Sequence, residues 1–330
     1  MPKGLFLLNP DAYERIYGEP EREAIRARVD ITAPLQTRQS IEADPDVLSD
    51  VEMIFSGWGM AELTEDFLRA APNLKVVFYG AGSIRYFATD AAWDRGIVIT
   101  SAYAANAVPV SEYTLAQILL SLKRTWYYAR QIKEEQRWIS KGSVPGAFES
   151  TVGLISLGKI GRLVAERLQP FDLKVLAYDP YVPSAEAEAL GVELVELDHV
   201  FERADVVSLH APKLPETLGM ITGAHLAAMK ENATFINTAR GAIVREQEMI
   251  EVLQSRSDLY AILDVTDPEP PVPASPLYTL PNVVLTPHIA GSIGTECRRM
   301  GQTMVAELAR YLAGEPLRWS ISREDAKILA

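Results

Sequence analysis

The chain has 330 residues, 48% hydrophobic and 23% charged, with a formal net charge of −12. That is a globular composition with ample core and room for two domains, and its acidity argues against nucleic acid or a membrane surface as partner. Cys297 is the single cysteine, so no internal disulfide forms and a reducing, cytoplasmic setting is expected; the N-terminal apolar run is too short for a signal peptide, and no stretch approaches the roughly 18 apolar residues of a membrane span.

In the first hundred residues, short apolar runs at 4–8, 29–31, 51–55, 74–78 and 97–100 alternate with helical patterns such as 61–71 and 89–95. Strands apolar on both faces, alternating with helices, predict a parallel sheet covered on both sides. Leu115, Ile118, Leu119 and Leu122 then fall at the 3.6-residue spacing of a buried helix face. Thr151 opens a second alternating run, with strands predicted at 152–156, 174–178, 206–209, 234–237, 261–264 and 283–286. Six such strands separated by helices are what a Rossmann-type, doubly wound dinucleotide domain requires. The last predicted helix, 295–312, places Val305, Leu308 and Leu312 on one face and is expected to return to the first domain. The expected organisation is α/β throughout: residues 1–102 with 296–330 in one domain, residues 103–295 in the other, and a cleft between them as the natural ligand site.

The densest local signal runs from Val152 to Gly161, Val-Gly-Leu-Ile-Ser-Leu-Gly-Lys-Ile-Gly. An apolar strand enters a small-residue turn, and a helix follows with Ile160, Leu163, Val164 and Leu168 on one stripe. Pyrophosphate sits well on such a helix N-terminus, where one glycine lets the backbone approach and another lets helix and strand close up. Gly158 and Gly161 fit the second and third glycines of the fingerprint; Ser156 replaces the first and is expected to strain or reshape the turn. Asp179 stands 18 residues beyond Gly161, at the end of the next strand. A carboxylate there accepts the ribose hydroxyls of NAD and repels the 2′-phosphate of NADP. The bland alternative is an ordinary strand–turn–helix with a surface aspartate.

Three further groups follow successive predicted strands. Arg240 lies in Asn237-Thr238-Ala239-Arg240-Gly241; a guanidinium fork clamps a carboxylate and polarises a carbonyl beside it. Glu269 lies in Asp267-Pro268-Glu269-Pro270, and His288 in Thr286-Pro287-His288-Ile289-Ala290-Gly291. Reduction of a ketone needs a proton donor and oxidation of the alcohol needs a base; histidine serves both near neutral pH. A carboxylate beside an imidazole favours its charged form and fixes its tautomer. Alone, each would read as a turn cap or a solvated charge; together, at the ends of one sheet where open α/β folds place ligands, they read as a site.

Taken together these residues resemble the D-isomer-specific 2-hydroxyacid dehydrogenase family, over nearly the whole chain and most strongly from Gly153 to Ser292. The resemblance implies that His288 is the acid/base, that Glu269 tunes it, and that Arg240 holds the substrate carboxylate and keto oxygen. It implies NAD as cofactor, contacted by Gly158, Lys159, Ile160, Asp179, His210, Ala211, Pro212, Thr217, Thr238, Ala239, Asp264 and Gly291, with Asp264 at the nicotinamide end. Ala104-Ala105-Asn106-Ala107, Ser111-Glu112 and Thr114-Leu115-Ala116 look like the family's interdomain segment. It implies a smaller flavodoxin-like substrate domain, a homodimer, and a loop Gly80-Ala81-Gly82 whose amides meet the substrate carboxylate. Members acting on 3-phosphoglycerate bring basic residues to the loop after the third strand; this chain has Ser56-Gly57-Trp58-Gly59-Met60 there, which disfavours phosphoglycerate and leaves Trp58 to wall an apolar or sugar-acid pocket. No metal is expected. The competing readings are an NAD(H)-sensing module that recruits protein partners, as in the family's corepressors, and oxidation of formate or phosphite. Formate enzymes of this fold carry glutamine where Glu269 stands.

Overall fold

Short, mostly apolar runs become parallel strands in both parts of the chain. The computed structural model describes residues 1–142 and 144–328, and it divides into two units, Met1–Asn106 with Ser292–Ala330, and Ala107–Gly291.

The first unit holds five strands, β1 (Lys3–Leu7), β2 (Asp30–Ile31), β3 (Met53–Ser56), β4 (Val76–Tyr79) and β5 (Val98–Ser101), in the order β2-β1-β3-β4-β5. All pairings are parallel, and this is the flavodoxin-like order. Neighbouring residues of a strand point to opposite faces, so Leu5, Ile54 and Val77 enter one core while Phe6, Phe55 and Phe78 enter the other. The helix Cys297–Ala313 covers the second face with Cys297, Met300, Met304 and Leu308. Leu312 was expected on this face but is 42% exposed. The stripe actually runs through Cys297 and the methionines, which keeps the 3.6-residue period but rotates the helix away from Leu312. A side chain at Gly301 would meet the Ile16 carbonyl oxygen at 2.0 Å, so glycine lets this helix close on the one ending at Ile16.

The second unit holds seven parallel strands, β6 (Thr151–Ile155), β7 (Lys174–Tyr178), β8 (Val192–Leu194), β9 (Val206–Leu209), β10 (Thr234–Asn237), β11 (Tyr260–Leu263) and β12 (Val283–Leu285), ordered β12-β11-β10-β9-β6-β7-β8. Six were expected; β8 escapes sequence reading because it has three residues with exposed Glu193 in the middle. The strand order reverses between β6 and β9, and in open α/β sheets the crevice at that reversal, beyond the carboxyl ends of the strands, is where ligands bind. Ile118 and Leu122 bury into the core on one face of this sheet. Among the described residues no helix is long and apolar enough to cross a membrane, and no group of His, Cys, Asp and Glu could hold a metal ion.

Candidate active site

The turn after β6 carries the fingerprint. Ser156, at the first glycine position, has φ +79°, a left-handed conformation that glycine adopts freely and serine does not. The helix Lys159–Leu168 follows, burying Gly161, Val164, Ala165 and Leu168. A Cβ at Gly161 would lie 2.1 Å from the Ser156 carbonyl oxygen, which makes this the glycine of close helix–strand packing. At Gly158 the nearest atom to an added Cβ would be Ser156 Oγ at 3.8 Å, so the approach there is open. Gly158, Lys159 and Ile160 begin the helix with no side-chain cap, leaving first-turn amides free for an anion. Asp179, just past β7, accepts from Leu157 N–H at 2.7 Å and from the Ser156 hydroxyl at 3.3 Å.

His210 follows β9, with Ala211 buried beside it. Both its ring nitrogens are buried without a hydrogen-bond partner, and burial pushes its imidazole down to about 3, so the ring is neutral. Thr217 is turned to its own loop, its hydroxyl donating to the Pro212 carbonyl at 2.6 Å. An uncapped helix start, an open glycine and an unsatisfied imidazole thus stand at the carboxyl ends of β6 and β9, with polar groups that lack protein partners.

The other three groups gather beyond β10, β11 and β12. Asn237 ends β10 and shapes the next turn: its Oδ1 accepts from Ala239 N–H at 3.0 Å and its Nδ2 donates to the Arg240 carbonyl at 3.1 Å. Thr238 is buried, its hydroxyl 3.3 Å from that of Thr114. The Arg240 guanidinium donates to the Ala239 carbonyl; burial pushes it below its ordinary value, while the charge of Glu269 pulls it back up. That coupling places Arg240 and Glu269 in one electrostatic environment.

Glu269 and His288 meet directly, Oε1 to Nδ1 at 2.6 Å. Both ends of the pair are anchored. The Glu269 loop is held by the Asp267 N–H donating to Glu246 at 2.9 Å and by the Thr266 hydroxyl donating to the Pro268 carbonyl at 2.9 Å. His288 has φ +55°, and Asp264 holds it there. Asp264 is 2% exposed and accepts from the Thr286 hydroxyl at 2.6 Å and from the amides of Ile289 and Ala290, each at 2.8 Å. With Nδ1 turned to a carboxylate, the imidazole keeps Nε2 for a second partner. A cleft of about 700 Å³ borders this pair, walled by Pro270, Pro271, Leu277, Tyr278 and Leu285.

Trp58, Gly80, Ala81 and Gly82 belong to the first unit. Trp58 is half-buried and packs against both cores of that unit. Although its loop has no basic residue of its own, Arg15 lies over the Trp58 ring at 5.4 Å and Arg38 donates to the Met60 carbonyl at 2.9 Å. Sequence reading of the loop alone missed these two cations. It also missed Ser101, which ends β5 and ties down the glycine loop by donating to the Ala81 and Gly82 carbonyls at 2.9 and 2.6 Å. Nothing local marks Ser101; only the adjacency of β4 and β5 brings it to the loop. Asn237 was legible in principle, as a turn-forming residue at a strand end.

Residues 115–290 match the family model described as D-isomer specific 2-hydroxyacid dehydrogenase, NAD binding domain. A D-3-phosphoglycerate dehydrogenase of Mycobacterium tuberculosis is 35% identical over 298 residues, 90% of this chain and 52% of that protein. A glyoxylate reductase of Thermofilum pendens is 32% identical over 273 residues, 81% of this chain and 80% of that protein. The chain spans about half the length of the curated phosphoglycerate dehydrogenases it matches. In fold it is similar to a D-isomer specific 2-hydroxyacid dehydrogenase from Lactobacillus delbrueckii ssp. bulgaricus in its NAD complexed form, with a TM-score of 0.79 and 23% identity over 97% of this chain and 100% of that one.

Proposed function

Because the chain belongs to the D-isomer specific 2-hydroxyacid dehydrogenase family, we propose that it interconverts a small D-2-hydroxy acid and its 2-keto acid with NAD(H). The observation that carries this reading is the 2.6 Å contact of His288 with Glu269, whose charge also acts on the half-buried Arg240. Bound nicotinamide would supply or take up the hydride at C2. Gly158, Lys159 and Ile160 would hold the pyrophosphate, Asp179 the ribose, and the loop from His210 to Thr217, with Thr238, Ala239, Asp264 and Gly291, the rest of the dinucleotide. Arg240 would bind the substrate carboxylate and keto oxygen by its planar fork. His288 would hand a proton from Nε2 to the oxygen on C2, or take it back; Glu269 at Nδ1 would fix the ring's orientation and tautomer. Asp179 would favour NAD over NADP by charge.

The test is a panel of 2-keto acids assayed with NADH and NADPH. It includes glyoxylate and the keto form of 3-phosphoglycerate, because the Arg38 guanidinium lies at the Trp58 loop, donating to the Met60 carbonyl. Replacing His288 by alanine is expected to slow reduction by ~10²–10⁴-fold. An unchanged turnover number removes the assignment, and so does a parent protein that reduces no member of the panel. The same reading expects a homodimer, which sedimentation measures.

A further inference from the structure

The turn that starts the dinucleotide site is strained at Ser156, a non-glycine residue at φ +79°. Such a conformation persists only where the surroundings hold it. The Ser156 N–H donates to the Tyr178 carbonyl at 2.8 Å, and the side chain that holds the turn is Asp179. Its Oδ2 accepts from Leu157 N–H at 2.7 Å and from the Ser156 hydroxyl at 3.3 Å. Its Oδ1 accepts from the amides of Tyr181 at 2.9 Å and Val182 at 3.2 Å. These four contacts engage both carboxylate oxygens. One side chain thereby ties the turn after β6 to the turn after β7.

We propose that Asp179 is a positioning residue for the phosphate turn: it holds Ser156 in the left-handed conformation and so builds the cradle for a dinucleotide pyrophosphate. This is separate from any selection at the ribose, and it rests on the dinucleotide reading above. The two roles separate cleanly. Loss of a ribose contact weakens NADH alone, and a change at residue 156 cannot restore it. Loss of the strap weakens NADH and NADPH together. Glycine at 156 repairs it, because glycine adopts φ +79° with no Cβ to strain.

The experiment is direct titration of NADH and of NADPH, followed by nicotinamide fluorescence without any keto acid, on the parent, Asp179→Ala, Ser156→Gly and the double variant. Asp179→Ala is expected to weaken NADH by about tenfold to a hundredfold, the scale of losing charge-assisted bonds, and to weaken NADPH less, because the charge that repels its 2′-phosphate is lost with the strap. The double variant is expected to recover most of that loss and to bind NADPH nearly as well as NADH. Ser156→Gly alone is expected to keep the parent's preference. If Asp179→Ala does not fold, Asp179→Asn serves: it leaves one oxygen for Tyr181 and Val182 but turns an amide N–H toward Leu157 N–H, and the same rescue by glycine is expected. Failure of Ser156→Gly to restore NADH binding in either background overturns the proposal. A parent that binds neither nucleotide overturns the dinucleotide reading and this inference with it. A parent that binds NADH yet turns over no keto acid sinks only the proposed activity.

Discussion

Asp264→Asn isolates the role of the buried carboxylate behind His288. Asp264 is 2% exposed and accepts three hydrogen bonds, two at Oδ1 (Thr286 hydroxyl, Ile289 N–H) and one at Oδ2 (Ala290 N–H). Asparagine can keep its oxygen where two donors meet, and its amide nitrogen then faces the Ala290 N–H. One charge-assisted bond is lost and two buried donors oppose each other. A bond to a charged group contributes ~1.5–3 kcal/mol, and leaving a buried donor unsatisfied costs a comparable amount, so a loss of ~2–4 kcal/mol is expected. The loss is local, because these bonds hold the loop in which His288 sits at φ +55°. Urea unfolding should show a lower midpoint with an unchanged m-value, and amide exchange should speed up at Ile289 and Ala290. An unchanged midpoint together with unchanged exchange at those two amides refutes the reasoning.

Two further outcomes follow from the same site. At Gly241, an added Cβ would lie 2.0 Å from the Thr266 carbonyl carbon and 2.6 Å from the Asp267 nitrogen; Gly241→Ala is expected to cost ~3 kcal/mol in chemical denaturation and to lower turnover by displacing the Arg240 turn, overpacking being the cause. Burial pushes His210 down to about 3 from the ordinary 6.5 of a histidine; between those values the unfolded chain binds a proton that the folded chain refuses, so stability falls as pH drops through that window. His210→Asn should flatten that slope by up to ~1.4 kcal/mol per pH unit, read by denaturation at about pH 5 and about pH 6.5, and an unaltered slope would show that His210 is not the group responsible.

Much of the frame was legible because it rests on pattern. Runs such as Val206–Leu209 and Thr234–Asn237 are buried along their whole length, and a doubly covered parallel strand writes itself as continuous apolar sequence. Arg240, Glu269 and His288 were legible because each follows such a strand, and strand ends in open α/β sheets face ligands. The illegible parts depend on neighbours far away in sequence. β8 is defined by pairing with β7 rather than by its own apolar content. Ser101 reaches the glycine loop only because β5 lies beside β4, and Arg38 reaches the Trp58 loop across 22 residues of chain. Leu312 was misplaced because a 3.6-residue pattern fits two adjacent stripes on the helix Cys297–Ala313, and the methionines choose between them.

The two non-glycine residues that matter most here at positive φ, Ser156 and His288, are held in the same way. In each case an aspartate just past one strand accepts bonds from the loop after the adjacent strand: Asp179 beyond β7 holds the turn after β6, and Asp264 beyond β11 holds the loop after β12. Parallel neighbours end side by side, so a carboxylate leaving one strand is within reach of amides leaving the next. This explains how a serine stands where the fingerprint has glycine. Glycine reaches φ +79° through its own freedom, whereas serine needs an outside acceptor, and the strand next door supplies one. The departure at Ser156 and the carboxylate at Asp179 are therefore one feature, and neither residue's contribution to the site can be measured without varying the other.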